Sequence, residues 1–452
     1  MAPIPNPIHG MRLSVELELE LPPSPGGSAP FDLAAAVCSH GLFMMAPNRW
    51  DPAARALVRP LRLASDSSVS VLARISAHPA RPGAALLVAV QRAGDLSSRD
   101  QDYILEQVRR MLRLSEEDGA AVAEFQAMHA AAREAGFGRI FRSPTLFEDM
   151  VKWTRTLAMA TSLCELQSEL QCSSSIEDFL SRTPPIREHK RKRSKSQSVR
   201  VKLETRFAED KFEGPTLASG TSNDLTHSET DEDLSSLPSV ASETGGPCDS
   251  LASLDTFVSG SEECIGDFPT PEELANLDED FLAKRCNLGY RAKRIVMLAR
   301  GIIEGKVCLE KLEKMCKISV PPAEEISTIE STYERINTEL SAISGFGPFT
   351  RANVLMCMGF NHTIPADTET IRHLKQIHKR SSTISSVYQE LDKIYGKYAP
   401  FQFLAYWFEL WGFYDKQFGK ISEMEPSNYG LFTASHLKKS KKKKKTALDS
   451  YS

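Results

Sequence analysis

The spacing of apolar residues changes once, near residue 95, and that change restricts the chain to an α+β architecture. From Leu13 to Leu21 the residues Leu13, Val15, Leu17, Leu19 and Leu21 alternate with Ser14, Glu16, Glu18 and Glu20, the pattern of a half-buried strand. After the turn-rich segment 22–30, Phe31-Asp32-Leu33 opens a short helix with Asp32 as its cap, and Phe43 to Trp50 leads on to strands over 56–63, 68–75 and 85–91. From Ser97 the period becomes helical. Ile104, Leu105, Val108, Met111 and Leu112 form one stripe and Val122, Phe125 and Met128 another, both of which read as core. The expected fold is therefore mainly α with a small N-terminal antiparallel β domain over residues 1–95.

The helical part is expected in two pieces, 96–172 and 263–422, which together make a two-lobed core. Between them residues 173–262 are rich in Ser, Thr, Asp, Glu and Pro, lack any period and read as a disordered insert. Residues 423–452 read as a disordered basic tail. The runs His189 to Lys195 and Lys438 to Lys445 can serve as nuclear import signals or as contacts to the DNA backbone; a nuclear location is expected. Net charge is only −4 across 452 residues, so any affinity for nucleic acid must come from local clusters. The nine cysteines include no CxxC pair, which points to a reduced, intracellular protein without a zinc or disulfide framework. No run of eighteen apolar residues occurs, and MAPIPNPIHG lacks a secretory pattern. A soluble, unsecreted protein is the expectation.

The chemistry concentrates between Leu340 and Leu374. Gly345-Phe346-Gly347 sets two glycines two apart between helical patterns, which suits a tight hairpin lying close to a ligand. Pro348 fits the first turn of the next helix, whose Val354, Leu355 and Met358 share a face. Hairpin N–H groups and a helix N-terminus then point the same way, forming an anion site suited to a DNA phosphate, with Arg351 nearby. Ile364-Pro365-Ala366 delivers Asp367 to the start of a further helix, Thr368 to about Lys379. At that position Asp367 can be a simple N-cap or a carboxylate set beside the phosphate clamp.

Two further stretches match the same pattern. In Phe268 to Leu274, Thr270 caps a helix, Pro271 takes its first position and Glu273 completes a capping box; a second start follows at Asp278. Leu288-Gly289-Tyr290-Arg291-Ala292-Lys293-Arg294-Ile295 stops one helix and starts another, and Tyr290, Arg291 and Lys293 there are either solvated or DNA-facing. These strings, with the 340–374 stretch, resemble the helix-hairpin-helix DNA glycosylase superfamily, nearest the bacterial 3-methyladenine DNA glycosylase II and 8-oxoguanine DNA glycosylase branches. The N-terminal sheet resembles the corresponding domain of those enzymes.

The resemblance implies a base excision repair enzyme acting as a monomer on duplex DNA that contains a damaged base. Asp367 would be its catalytic residue, and Gly345, Phe346, Gly347, Arg351, Tyr290 and Arg291 its DNA contacts. Superfamily members that also cut the strand carry a lysine two positions after the second hairpin glycine; this chain has Phe349 there, and no lysine between Gly345 and Thr363. A monofunctional glycosylase is implied, with alkylated purines favoured and oxidised purines as the alternative. No cysteine follows Cys357, so the iron–sulfur loop of some relatives is not expected, nor any metal or other cofactor. The aromatic run from Tyr395 to Tyr414 packs a terminal helix or lines a base pocket; Trp407, Trp411 and Trp153 are the pocket candidates. Finally, Phe147 to Lys152 resembles the start of a long family helix whose continuation carries a polar wedge. Here Trp153-Thr154-Arg155 follows at once, about two turns early, which leaves room for a second reading: a DNA-binding protein that keeps the clamp and has lost catalysis.

Overall fold

The computed structural model describes residues 13–23, 26, 28–92, 95–153, 156–171, 266–317 and 326–431. The expected insert, both basic runs and Thr154-Arg155 lie outside those residues. Five strands form one antiparallel sheet in the order β1-β5-β4-β3-β2: β1 (Leu13–Glu20), β2 (Arg49–Asp51), β3 (Ala56–Arg62), β4 (Ser70–Ala77) and β5 (Ala85–Arg92). Register follows the alternation, with Leu17 opposite Val88 and Leu19 opposite Leu86 on the buried face. α1 (Leu33–Val37), capped by Asp32 through the Ala35 N–H, and α2 (Ser98–Leu112) cover that face.

The rest is helical. α3 (Glu116–Met128), α4 (Ala130–Glu134), α5 (Leu146–Lys152) and α6 (Leu157–Gln171) precede the insert. After it come α7 (Pro271–Ala275), α8 (Glu279–Arg285), α9 (Arg291–Ile303), α10 (Leu309–Lys317), α11 (Ile326–Ser341) and α12 (Pro348–Met358), then α13 (Thr368–Ile377), α14 (Val387–Tyr395) and α15 (Gln402–Phe418). One helical core gathers α5 to α12 and a second gathers α3, α4 and α12 to α15; Trp153 packs against both. The architecture is thus mostly helical with an N-terminal five-stranded antiparallel sheet. The Thr270–Glu273 capping box forms as read from the sequence.

Composition misleads at the C-terminal end. Residues 421–431, most of which read as tail, form short 3-10 turns over Ile421–Glu423 and Pro426–Leu431. Ile421, Met424 and Tyr429 are buried in the sheet core, Tyr429 edge-on to Phe43 at 5.5 Å, and the Trp50 indole N–H donates to the Ser422 carbonyl at 2.8 Å. Three apolar residues at irregular spacing carry no periodic signal, yet they cover the sheet.

A buried ion network joins the parts. Arg59 of β3, fully buried, donates to Glu148 of α5 at 3.1 Å and lies 3.6 Å from Asp267. Lys152, one turn along α5 and also buried, is 2.5 Å from Glu148, while Arg62 reaches Asp267 at 3.0 Å and Glu273 at 3.1 Å. The described chain resumes at Gly266, where a Cβ would lie 2.5 Å from the Cys164 carbonyl of α6 and 2.6 Å from the Gln167 amide oxygen. Only glycine permits that approach. The Gln167 oxygen then accepts the Asp267 N–H at 2.9 Å.

Burial alone would raise the Glu148 pKa, but Arg59 and Lys152 outweigh it and hold the carboxyl down at about 2. A carboxyl with a depressed folded-state pKa stabilises the fold above its unfolded pKa, and that contribution is lost as pH falls toward about 2. Replacing Glu148 by Gln leaves buried Lys152 without its carboxylate and Arg59 with the Asp267 carboxylate alone, and should cost about 3 kcal/mol or more. Denaturant unfolding at neutral pH checks this, and the gap between wild type and variant should narrow on acidification; a variant within 1 kcal/mol of wild type (about fivefold in the folding equilibrium) contradicts the network's role.

Candidate DNA-binding and catalytic site

The hairpin between α11 and α12 is held by its own backbone. Phe346 N–H donates to the Ile343 carbonyl at 3.1 Å, and Gly345 sits at φ +88°, in the left-handed region that favours glycine. A Cβ on Gly345 would fall 2.5 Å from Cδ of Arg294. Gly347 caps α12 in an extended conformation, and Pro348 takes the first helical position.

Two expected DNA contacts also bond or pack within the protein. The Phe346 side chain is buried in the core of α5 to α12, so only its backbone can face a ligand. Arg351 donates to the Asn337 side chain at 2.8 Å and to the Phe346 carbonyl at 2.9 Å; its guanidinium braces the hairpin from within. A side chain one turn into α12 lies close enough to the turn to satisfy its carbonyl, which the sequence does not signal.

The cationic patch lies on α9 instead. Tyr290 is 59% exposed, and the guanidinium carbons of Arg291 and Arg294 lie 4.8 and 5.0 Å from its ring centroid. Through Arg294 this patch adjoins Gly345. Arg294 was not singled out in the sequence, because it reads there as one of several solvated cations.

The opposite end of α12 is anchored by arginine. Arg113, left-handed at φ +53° after α2, donates to the carbonyls of Met356 and Cys357 at 2.7 Å each, and Arg142 reaches Cys357 at 3.1 Å. Both cations complement the C-terminal end of α12. The loop from Gly359 to Ala366 is fixed next: Tyr333 of α11 packs on Phe360 and His362 with ring centroids 6.0 and 4.0 Å away, and Phe403 N–H donates to the Asn361 carbonyl at 2.7 Å. This loop hands the chain to Asp367.

Asp367 caps α13, accepting the Thr370 N–H at 2.7 Å. Burial nevertheless pushes its carboxyl above the usual carboxylate range, with the Thr370 hydrogen bonds opposing and Glu369 adding to the rise. The Thr370 hydroxyl meets the Pro365 carbonyl at 2.8 Å and the Tyr406 hydroxyl at 3.1 Å. Tyr406 thereby ties α15 to the Asp367 cap.

From Tyr406 an aromatic set runs outward. Trp407 lies 6.3 Å from Tyr406 and 5.6 Å from His40, and His40 stacks on Trp153 at 5.4 Å. Trp153 donates to the Cys357 sulfur at 3.0 Å. Trp411 is 6.0 Å from Trp407 but donates to the Cys38 carbonyl at 2.6 Å and packs into the sheet core, as an anchor for α15. Two of the three expected tryptophans thus converge, around a histidine that sequence reasoning missed. Buried His40 accepts the Leu42 N–H at Nδ1, so Nε2 carries the proton toward the Phe141 carbonyl; burial lowers its pKa to about 4 and keeps it neutral. A single histidine after a short helix offers no periodic signal.

No protein-family profile matches the chain. Among curated proteins it is similar to the N-glycosylase/DNA lyase of Saccharomyces cerevisiae, 27% identical over 158 residues that make up 33% of this chain and 37% of the yeast enzyme. The match therefore spans little more than a third of that enzyme. Among solved structures it is similar to MBOgg1 in complex with a low-affinity DNA ligand (TM-score 0.46, 15% identity, 87% of this chain and 95% of that one). It is also similar to the 3-methyladenine DNA glycosylase of Archaeoglobus fulgidus (TM-score 0.45, 14% identity, 87% and 98%) and to the 8-oxoguanine glycosylase/lyase of Clostridium acetobutylicum (TM-score 0.42, 11% identity, 82% and 93%). The name of the yeast protein is of the kind the sequence resembles.

If the hairpin holds a backbone phosphate, Gly345→Val should weaken binding to every duplex alike, because a β-branched residue is strained at φ +88° and phosphate contacts carry no sequence information. Fluorescence anisotropy on unrelated duplexes tests this. A loss confined to one sequence, or none at all, would refute the clamp.

Proposed function

We propose that this protein is a base excision repair DNA glycosylase that hydrolyses the N-glycosidic bond of a damaged purine in duplex DNA. The observation that carries the reading is the coupling of Asp367 to the hairpin: one helix and one braced loop connect a glycine turn suited to phosphate with a partly buried carboxylate. The hairpin, with Tyr290 and Arg291 beside it, would hold the strand. The flipped nucleotide would then present its sugar to Asp367. Bond cleavage leaves the sugar cationic, and a carboxylate there stabilises the charge and orients or deprotonates water.

Alkylated purines are the favoured substrates in this proposal, with Trp153 and Trp407 as the candidate surfaces for base stacking; an oxidised purine is the alternative. The reading is monofunctional because Phe349 stands where the resemblance would put the lyase lysine, even though the yeast relative is named a lyase. A second reading, a DNA-binding protein without catalysis, draws on the short sequence between Lys152 and Leu157, where the resemblance would put about two more turns of helix and a polar wedge. Nuclear import through the basic runs belongs to the same proposal; deleting both should leave a tagged chain cytosolic, and unchanged nuclear signal would reject it.

Asp367→Asn should reduce base release by about a hundredfold or more while binding of lesion DNA is kept. Because burial raises the carboxyl pKa, wild-type activity should fall, on acidification, at a pH above the ordinary carboxylate range. Borohydride should trap no adduct with the wild type. Equal release by wild type and Asp367→Asn across alkylated and oxidised substrates would favour the binding protein, and robust trapping would overturn the monofunctional assignment.

A further inference from the structure

On the side of α13 away from its capped end, two histidines and a glutamate converge. His373 Nε2 lies 3.1 Å from Glu409 Oε1, and His378 Nε2 lies 2.6 Å from the same oxygen. The Tyr395 hydroxyl stands 3.1 Å from His373 Nε2, 3.2 Å from His378 Nε2 and 3.3 Å from Glu409 Oε2. One ligand atom from each of His373, His378 and Glu409 falls within 4.8 Å of the other two. Three helices contribute: α13 the His373 imidazole and, at its C-cap, that of His378, α15 the carboxylate, α14 the phenol.

We propose that His373, His378 and Glu409 form a binding site for a divalent late transition metal, Zn²⁺ by preference. Two imidazole nitrogens and one carboxylate are the donors zinc takes in three-protein-ligand sites, which leave the fourth position for water. Tetrahedral ligands on zinc stand about 3.3 Å apart, so the 3.1 Å His373–Glu409 spacing already suits an ion, while the 2.6 Å His378–Glu409 pair would have to open to admit one. Entry is open, because His378 and Glu409 are 22% and 30% exposed while His373 closes the floor at 0%. The Tyr395 hydroxyl donates to Glu409 Oε2 at 3.3 Å and would orient the carboxylate. In the ion's absence the same atoms form a hydrogen-bonded knot, Glu409 accepting from both rings. His373 Nδ1 is buried with no hydrogen-bond partner, so its ring lacks the outer hydrogen bond that tightens most zinc histidines.

The ion would pin α13 to α14 and α15. Tyr406, whose ring lies 5.2 Å from His373, is the residue that holds Thr370 and the Asp367 cap. The site therefore stands behind the candidate carboxylate, touches none of the DNA-facing residues and is independent of the glycosylase reading.

The test is Zn²⁺ titration of the full chain against a chromogenic chelator, comparing wild type with His378→Ala and Glu409→Gln. Wild type should bind one equivalent more than either variant. Loss of an outer partner weakens metal sites by 10–100-fold, so loss of a direct ligand should exceed about 100-fold. Zn²⁺ should also raise the unfolding temperature of wild type alone, and Co²⁺ in its place should show tetrahedral d–d bands only in wild type. His378 is partly exposed at the end of its helix, so His378→Ala decides the matter if Glu409→Gln does not fold. Equal stoichiometry and affinity in wild type and His378→Ala, or an unshifted unfolding temperature, overturns the proposal.

Discussion

A single buried cluster of charge, Arg59 and Lys152 on Glu148 with Asp267 alongside, is the constraint on which the arrangement of this chain depends. Its members come from the sheet, from the first helical segment and from the point where the chain returns after residue 265. Buried ion pairs contribute little net stability compared with apolar packing of the same volume, but removing one partner is costly. The cluster therefore acts mainly as a register. Asp267 can reach Arg59 and Arg62 only if Gly266 lies flat on α6, and that fixes where α7 begins and how α7 to α12 pack on α5 and α6.

The candidate site inherits its geometry from that packing. Its hairpin is fixed by Phe346 in the core, Arg351 on Asn337 and the left-handed Gly345. Its carboxylate is fixed from the other direction, through Tyr333 against the 359–366 loop and Tyr406 against Thr370. Rigid supports on both sides matter because electrostatic stabilisation of a developing cation requires a charge already in position. Partial burial of Asp367 reflects the same arrangement: shielding from water makes the carboxylate harder to ionise and, under the proposed function, would strengthen its field at a bound sugar.

Local features were legible in the sequence, and long-range ones were not. The alternation of Leu13 to Leu21, the Thr270–Glu273 box, Pro348 at the start of α12 and Asp367 at the start of α13 all follow from rules acting over a few residues, and the structure shows each. Arg59 could not be read as buried, because its partners Glu148 and Asp267 lie far along the chain and a lone arginine in a strand reads as solvated. His40 escaped notice for the same reason. The bonds of Arg351 to Asn337 and to the Phe346 carbonyl were not legible either, because a cation near a hairpin suggests a ligand and nothing local signals a carbonyl within its reach. The short turns of 421–431 were hidden by polar composition.

If Asp367 offers negative charge where a sugar becomes cationic, binding of two abasic-site analogues measures that charge without turnover. A duplex carrying a pyrrolidine, cationic at neutral pH, should bind wild type more tightly than one carrying a neutral tetrahydrofuran, and the preference should vanish in Asp367→Asn. Equal affinity of wild type for the two duplexes would contradict the account.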